Sequence, residues 1–341
     1  MGMTWIKRLA AGAKVPVFIV IGDDAPGAAV TLPRQPGLSV VETPRAASIL
    51  VVAGRVPDAL IPYLHRLHDQ LPHPRATLLW QSPPLPAMPN AVAVAADDDV
   101  GAAATGVFAD LLTGDRTSEP DVLPDAPPTE WRGVGPHGQG GKGMMGGTPY
   151  GRPMAMTDDD IRDGLALDSY TADFGPFMPF FPPGLVLTVT LQGDVIQKVI
   201  VKHPPFDSDR TPLAAMLHLL GLPALAIRSL TGRAADPVLR RLIGLSGARF
   251  AIPAGLGRLP DGSDVRARLD HWTGAAPDAA WQDAGDTTLE RLLVGLEWQE
   301  AMLVLNSLET ATLRDLCKNG SKDIPDDTQD HTDHDMHAGH M

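Results

Sequence analysis

AASILVVAG at residues 46–54, LHRLHDQLPHPR at 64–75 and ATLLW at 76–80 together decide the fold. The first and last are short, continuous apolar runs, the pattern of strands covered on both faces of a parallel sheet. Between them, residues 57–71 space Leu60, Ile61, Leu64, Leu67 and Leu71 at helical intervals, with Pro57 suited to a first turn. Strand, helix and strand make a βαβ unit. Two further runs, VPVFIVIG at 15–22 and AVAVA at 91–95, flank it. Residues 13–112 are therefore expected to form an α/β domain around a doubly wound parallel sheet.

Outward from this unit the pattern changes. Residues 113–163 lose both periodicities; Pro120, Pro124, Pro127 and Pro128 precede a glycine-dense run at 133–147, and the segment reads as a linker or surface-draped loop. Residues 164–317 read as a second domain of α+β type. Its signature is a β-hairpin, GLVLTVTLQ at 184–192 and VIQKVIV at 195–201, closed by Gly193 and Asp194. Helices are expected at 212–220, at 237–245 and over 287–316, the last with Leu289, Leu292, Leu293, Leu296, Leu303 and Leu308 on one face. Residues 318–341 are acidic and histidine-rich and read as a disordered tail.

Composition removes several function classes. The chain has 341 residues, 44% of them hydrophobic and 20% charged, a balance that supports a buried core. Its 28 basic and 41 acidic residues give a net charge of -13, the wrong sign for a phosphate-binding surface, so no nucleic-acid partner is expected. The longest apolar runs fall short of the roughly 20 residues that span a bilayer. Residues 1–14 lack the sustained apolar core of a signal peptide, which leaves a cytoplasmic compartment as the expectation. A single cysteine, Cys317, excludes intrachain disulfides and any cluster or zinc site held by several thiolates.

The stretch 46–81, an apolar strand ending in Ala-Gly, a helix closing in DQLPHP at 69–74 and a further strand, resembles the small, cluster-carrying subunit of respiratory complex I. FGPFMPFFPPG at 174–184, running into the hairpin, resembles the Gly-Pro-x-His-Pro loop of the large, quinone-site subunit, which shares ancestry with the nickel–iron hydrogenases. LHLLGLPALA at 217–226 is similar to a helix of the same subunit. The likeness covers about half the chain and leaves out the linker and residues 228–286. It implies that loops 22–27 and 81–86 stand where cluster cysteines belong, yet they read GDDAPG and QSPPLP. It also implies that Met178 stands where a histidine faces the quinone, and VKHPPF at 201–206 replaces the run towards a His-Arg-Gly. The expectation is a relative of the two fused subunits that has lost its cofactors.

Other motifs have plainer readings. Residues 133–138, GVGPHG, fit G-x-G-x-x-G without the strand and helix that a dinucleotide fold needs. That glycine-rich run either packs closely on a partner or tethers the domains. Residues 244–247 do not complete G-x-S-x-G. Acid runs at 23–24, 97–99 and 158–160 suit solvated loops and helix starts. Phe174, Phe177, Phe180 and Phe181, four of the eight phenylalanines, either line an apolar ligand slot or plug an obsolete one. In the tail, His331, His334, His337 and His340 with Met336 and Met341 form a set of imidazoles and thioethers that suits copper or nickel.

The resemblance therefore implies a peripheral subunit with no redox activity and no cofactor of its own, at the cytoplasmic face of the inner membrane. Its partners would be antiporter-like or complex I-like membrane subunits of an ion-translocating assembly. The alternatives are a subunit of a working NADH:quinone or hydrogenase-like oxidoreductase, and a copper- or nickel-handling protein acting through the tail.

Overall fold

The computed structural model describes residues 14–25, 27–124, 157–159, 166–207, 211–231, 236–275 and 282–321. Five strands form a parallel sheet: β1 (Val15–Ile21), β2 (Leu38–Val40), β3 (Ile49–Ala53), β4 (Ala76–Trp80) and β5 (Val92–Val94), in the order β2-β1-β3-β4-β5. Four of them are the apolar runs of the sequence. The fifth, β2, is three residues long, too short to show a period, and its pairing with β1 alone defines it.

Every residue of β3 and β4 is buried, as continuous apolar strands require. Alternate side chains enter two different cores. On one face Val17, Ile49, Val51, Leu78 and Trp80 pack with α1 (Ala28–Thr31) and α3 (Val100–Thr113), the latter through Val100, Ala104, Val107 and Leu111. On the other, Phe18, Val20, Leu50, Val52 and Leu79 meet Leu60 and Leu64, the second of these on α2 (Ile61–His68). The acid run before α3 serves its start: Asp99 Oδ1 accepts from the backbone N–H groups of Gly101 and Ala102.

Past α3 the chain stays on this module. Residues 114–124, the first part of the segment read as a linker, run along β4 and the end of α2, and Glu119 is only 4% exposed. Its backbone N–H donates to the Arg75 carbonyl at 3.0 Å.

The second sheet is antiparallel, β6 (Thr157–Asp159), β7 (Ala166–Phe174), β8 (Val186–Gln192) and β9 (Val195–His203), in sequence order. β8 and β9 are the expected hairpin, and Gly193 supplies the positive φ of its turn. Helices α4 (Pro212–Leu219), α5 (Pro223–Thr231), α6 (Pro237–Ser246), α7 (Ala248–Ala251) and α8 (Val265–Trp272) follow. The single helix expected over 287–316 is instead three: α9 (Leu289–Leu293), α10 (Trp298–Ser307) and α11 (Thr310–Ser321). The break is a strand-like insertion. Gly295 N–H donates to the Ile196 carbonyl, Ile196 N–H to the Leu296 carbonyl, and Glu297 bridges Val195. A capping box between Glu297 and Glu300 then starts α10. Leu289, Leu292, Leu293 and Leu308 are buried and Leu296 and Leu303 pack half-buried on the same core, so their spacing does not distinguish one helix from three. α11 continues to Ser321, four residues beyond the boundary read at 317.

The two sheets share one core. Phe177, Val186 and Phe206 are buried among Phe18, Val20, Leu50 and Leu64 on the face of the parallel sheet. The close fit depends on Gly184, at φ +83, where an added Cβ would lie 2.7 Å from the Phe206 ring.

Candidate functional site

In open α/β sheets a ligand binds beyond the carboxyl ends of the strands, where the order reverses, here between β1 and β3. Backbone fills that place. Asp23 N–H donates to the Arg55 carbonyl at 2.7 Å and Arg55 N–H returns to the Asp23 carbonyl at 2.8 Å. A Cβ on Gly54 would stand 2.5 Å from the Asp23 carbonyl oxygen, and one on Gly22 the same distance from that of Arg55. The Arg55–Asp23 ion pair at 3.3 Å lies over the bridge. Residues 22–25 thus close on the strand end beside them.

A free volume lies one strand over, between the modules. A cavity of about 210 Å³ is bounded by Phe18, Ile19 and Ile21 of β1, by Val40 at the end of β2 with Val41 and Glu42 after it, and by the loop 176–183. A 150 Å³ apolar cavity accepts benzene, so this one has room for about one substituted ring. The loop that closes it is the phenylalanine-rich segment. Its four aromatics divide between the two roles considered for them. Phe177 enters the core of the parallel sheet, and Phe181 enters that of the second module. Phe174 packs on Trp298 with ring centroids 4.3 Å apart. Phe177 and Phe181 also border the cavity, as does Phe180, which is held at φ +56 by a hydrogen bond from the buried Asn306 amide to its carbonyl at 2.6 Å and stacks on His218 at 3.9 Å.

Met178 also borders the cavity, its sulfur accepting from Gly175 N–H at 3.3 Å. A polar pair stands at the rim nonetheless. His218 of α4 comes from the second module and Glu42 from the first, with Nε2 to Oε1 at 3.0 Å. Among the described residues, Glu42 is the one ionisable side chain bordering the cavity. Sequence reasoning singled out neither residue: Glu42 sits in no motif, His218 entered only as part of the helix-like stretch 217–226, and only the docking of the modules brings them together. The site offers an apolar slot for a planar ligand with one hydrogen-bonding edge.

Two other polar clusters fix structure around it. Asp173 accepts from Tyr63 at 3.0 Å across the modules, and from Thr188 at 2.7 Å and Lys202 at 2.9 Å within its own. Burial pushes the Asp173 carboxyl up, but these three donors outweigh it and hold it below its ordinary value. Burial and the neighbouring carboxylate push the Tyr63 hydroxyl up. Within the first module, Glu119 accepts from Thr77 N–H at 2.9 Å and Thr77 Oγ1 at 2.7 Å, and lies 3.1 Å from His68 Nε2. His68 Nδ1 is 2.8 Å from Asp69, whose oxygens take the Val122 and Leu123 N–H groups. The DQLPHP turn is therefore the anchor that ties residues 119–123 down.

The proposed metal ligands His331, His334, Met336, His337, His340 and Met341 lie outside the described residues, as does GVGPHG at 133–138. Among the described residues no three His, Cys, Asp or Glu side chains gather as a metal site, and no helix is long and apolar enough to cross a membrane. Gly247, at φ +72, caps α6 and makes no nucleophile elbow. Cys317 is buried in the second core. No protein-family model matches the chain, and no curated protein matches it.

Proposed function

We propose that the protein is a non-catalytic peripheral subunit of a complex I-like ion-translocating assembly, a fused two-module scaffold that docks on antiporter-like or complex I-like membrane subunits. The observation that carries this reading is the shared core, in which Phe177, Val186 and Phe206 of the second module are buried on the face of the parallel sheet. A scaffold that presents a joint surface needs its halves fixed in this way. Electron transfer needs closely spaced centres with defined ligands. The single cysteine does not supply them, and burial pushes its thiol up to about 12, far from the thiolate that metals bind. The same reading takes the parallel sheet as doubly wound and the location as the cytoplasmic face of the inner membrane.

Affinity purification from native membranes, with identification of the co-purifying subunits, tests the proposal. Ion-translocating membrane subunits are the expected partners; recovery of the protein alone in the soluble fraction overturns it.

The cavity favours a second reading, in which the subunit belongs to a working oxidoreductase and neighbouring chains supply the missing ligands. The Glu42–His218 pair would then meet the polar edge of a ring bound against Phe180. Flavin, cluster or quinone in the purified assembly supports this, and their absence by absorbance and metal analysis sinks it. The tail carries a third proposal, copper or nickel binding, on the spacing of its four histidines alone.

A further inference from the structure

The side chains around the cavity between the modules are hydrocarbon or thioether except at one point. Among the described residues, Glu42 alone brings a charged side chain to that lining. Walls of this kind give water few partners and favour an apolar ring over it. The carboxylate at the mouth is already oriented. A carboxylate only accepts, so the proton in its 3.0 Å contact with His218 lies on Nε2 and is donated to Oε1. The His218 ring is itself fixed by its stack on Phe180, with centroids 3.9 Å apart and planes at 19°. The second carboxylate oxygen, Oε2, has no partner among the described residues. The Phe180 wall is preset as well. A phenylalanine at φ +56 is uncommon, and the buried Asn306 amide of α10 holds it there through its carbonyl while also donating to the Met302 carbonyl. The slot therefore keeps its shape without a ligand to form it.

We propose that this cavity binds a small arylalkylamine, one aromatic ring on a short chain ending in an ammonium group, with the ring in the slot and the nitrogen donating to Glu42 Oε2. Size and chemistry select that class. A volume of about 210 Å³ holds one substituted ring and little more. A ring whose polar edge only accepts would set one acceptor against another, and an anionic end would be repelled. An ammonium offers three donors and the opposite charge. Its desolvation costs little, because Glu42 is 65% exposed and the ammonium beside it keeps water on its outer side. A net charge of -13 adds a longer-range attraction for cations. The walls come from both modules, β1 and Glu42 from the first and Phe180 from the second, so a bound ligand also tightens their docking. This inference goes beyond both functional readings of the protein: it needs neither a redox centre nor a membrane partner.

Titration of the full-length protein with phenethylamine, benzyl methyl ether and phenylacetate, followed by protein NMR shifts and by melting temperature, tests it. The three probes share a ring on a short chain and differ in the end group, which is a cationic donor, a neutral acceptor or an anion. Phenethylamine is expected to bind about tenfold more tightly than either of the others and to raise the melting temperature as its concentration rises. Glu42→Gln should weaken phenethylamine by about tenfold and leave the ether as it was. Val40→Trp, at a wall position 43% exposed and so tolerant of a larger side chain, should block all three probes. The proposal is overturned if none of the probes binds at millimolar concentration, or if all three bind equally. It is likewise overturned if the Glu42→Gln protein keeps the full preference for the amine, or if folded Val40→Trp protein binds it as the parent does. Should Val40→Trp fail to fold, the Glu42→Gln comparison decides alone. The purified protein carries no other subunits, so each of these outcomes leaves the co-purification result untouched.

Discussion

Glu42 and His218 are 176 positions apart in sequence and 3.0 Å apart in space, a carboxylate–imidazole pair bridging the two modules at the rim of their shared cavity. The pair marks the docking of the modules but does not hold it. Glu42 is 65% exposed, and exposed pairs contribute about 0–1 kcal/mol. Phe177, 7% exposed, fills the joint core. Glu42→Gln should therefore change stability by less than about 1 kcal/mol, whereas Phe177→Ala should cost about 3–5 kcal/mol. Chemical denaturation of both variants checks this, and an equal effect would show that the modules are held by their polar rim.

The His68–Glu119 contact governs a separate feature, the attachment of residues 114–124. Removing a buried acceptor strands its donors, so Glu119→Ala should destabilise by about 2–4 kcal/mol and expose the segment to protease. Thr77→Val should cost less, because it removes one donor and leaves the carboxylate with others.

Acid should loosen the same anchor. Burial pushes the Glu119 and Asp69 carboxyls up, but hydrogen bonds from His68, Thr77 and the 122–123 backbone outweigh it and hold both below their ordinary values. Lowered folded values mean that the stabilisation is fully present above the unfolded values near 4.5 and 3.8 and is lost as pH falls through the folded ones. Stability measured from pH 6 downward should fall on crossing that window, and Glu119→Gln should flatten the slope. An unchanged slope would show that the carboxyl does not titrate in this window.

Gly184 tests the fit of the joint core from the backbone side. With φ at +83 and the Phe206 ring 2.7 Å from a would-be Cβ, Gly184→Ala should cost about 2 kcal/mol or more. A Gly221→Ala control shares the positive φ, at +76, but meets open space, and should cost less. Thermal melts of the two variants separate strain from overlap.

Cys317 is 3% exposed, and its thiol is pushed up by burial to about 12. It should resist alkylation at neutral pH in the native protein and react fully in denaturant. For the tail, truncation after Ser321 retains all of α11 and should abolish stoichiometric copper or nickel uptake, while intact uptake would place those ligands elsewhere.

Whatever depends on neighbours along the chain was legible in the residues alone. Four apolar runs specified parallel strands, Gly193-Asp194 specified the hairpin, and one cysteine removed every multi-thiolate centre. Tertiary structure decided whatever depends on contacts between distant residues. It split the 287–316 run by pairing Gly295, Leu296 and Glu297 with the hairpin. It drew Glu119 onto β4, and it set Phe174 on Trp298 while placing Phe177, Phe180 and Phe181 along one cavity wall, Phe177 and Phe181 each also buried in a different core. The physical reason is that burial is non-directional. Periodicity says that a side chain will leave water, and only the packed fold says which surface it meets.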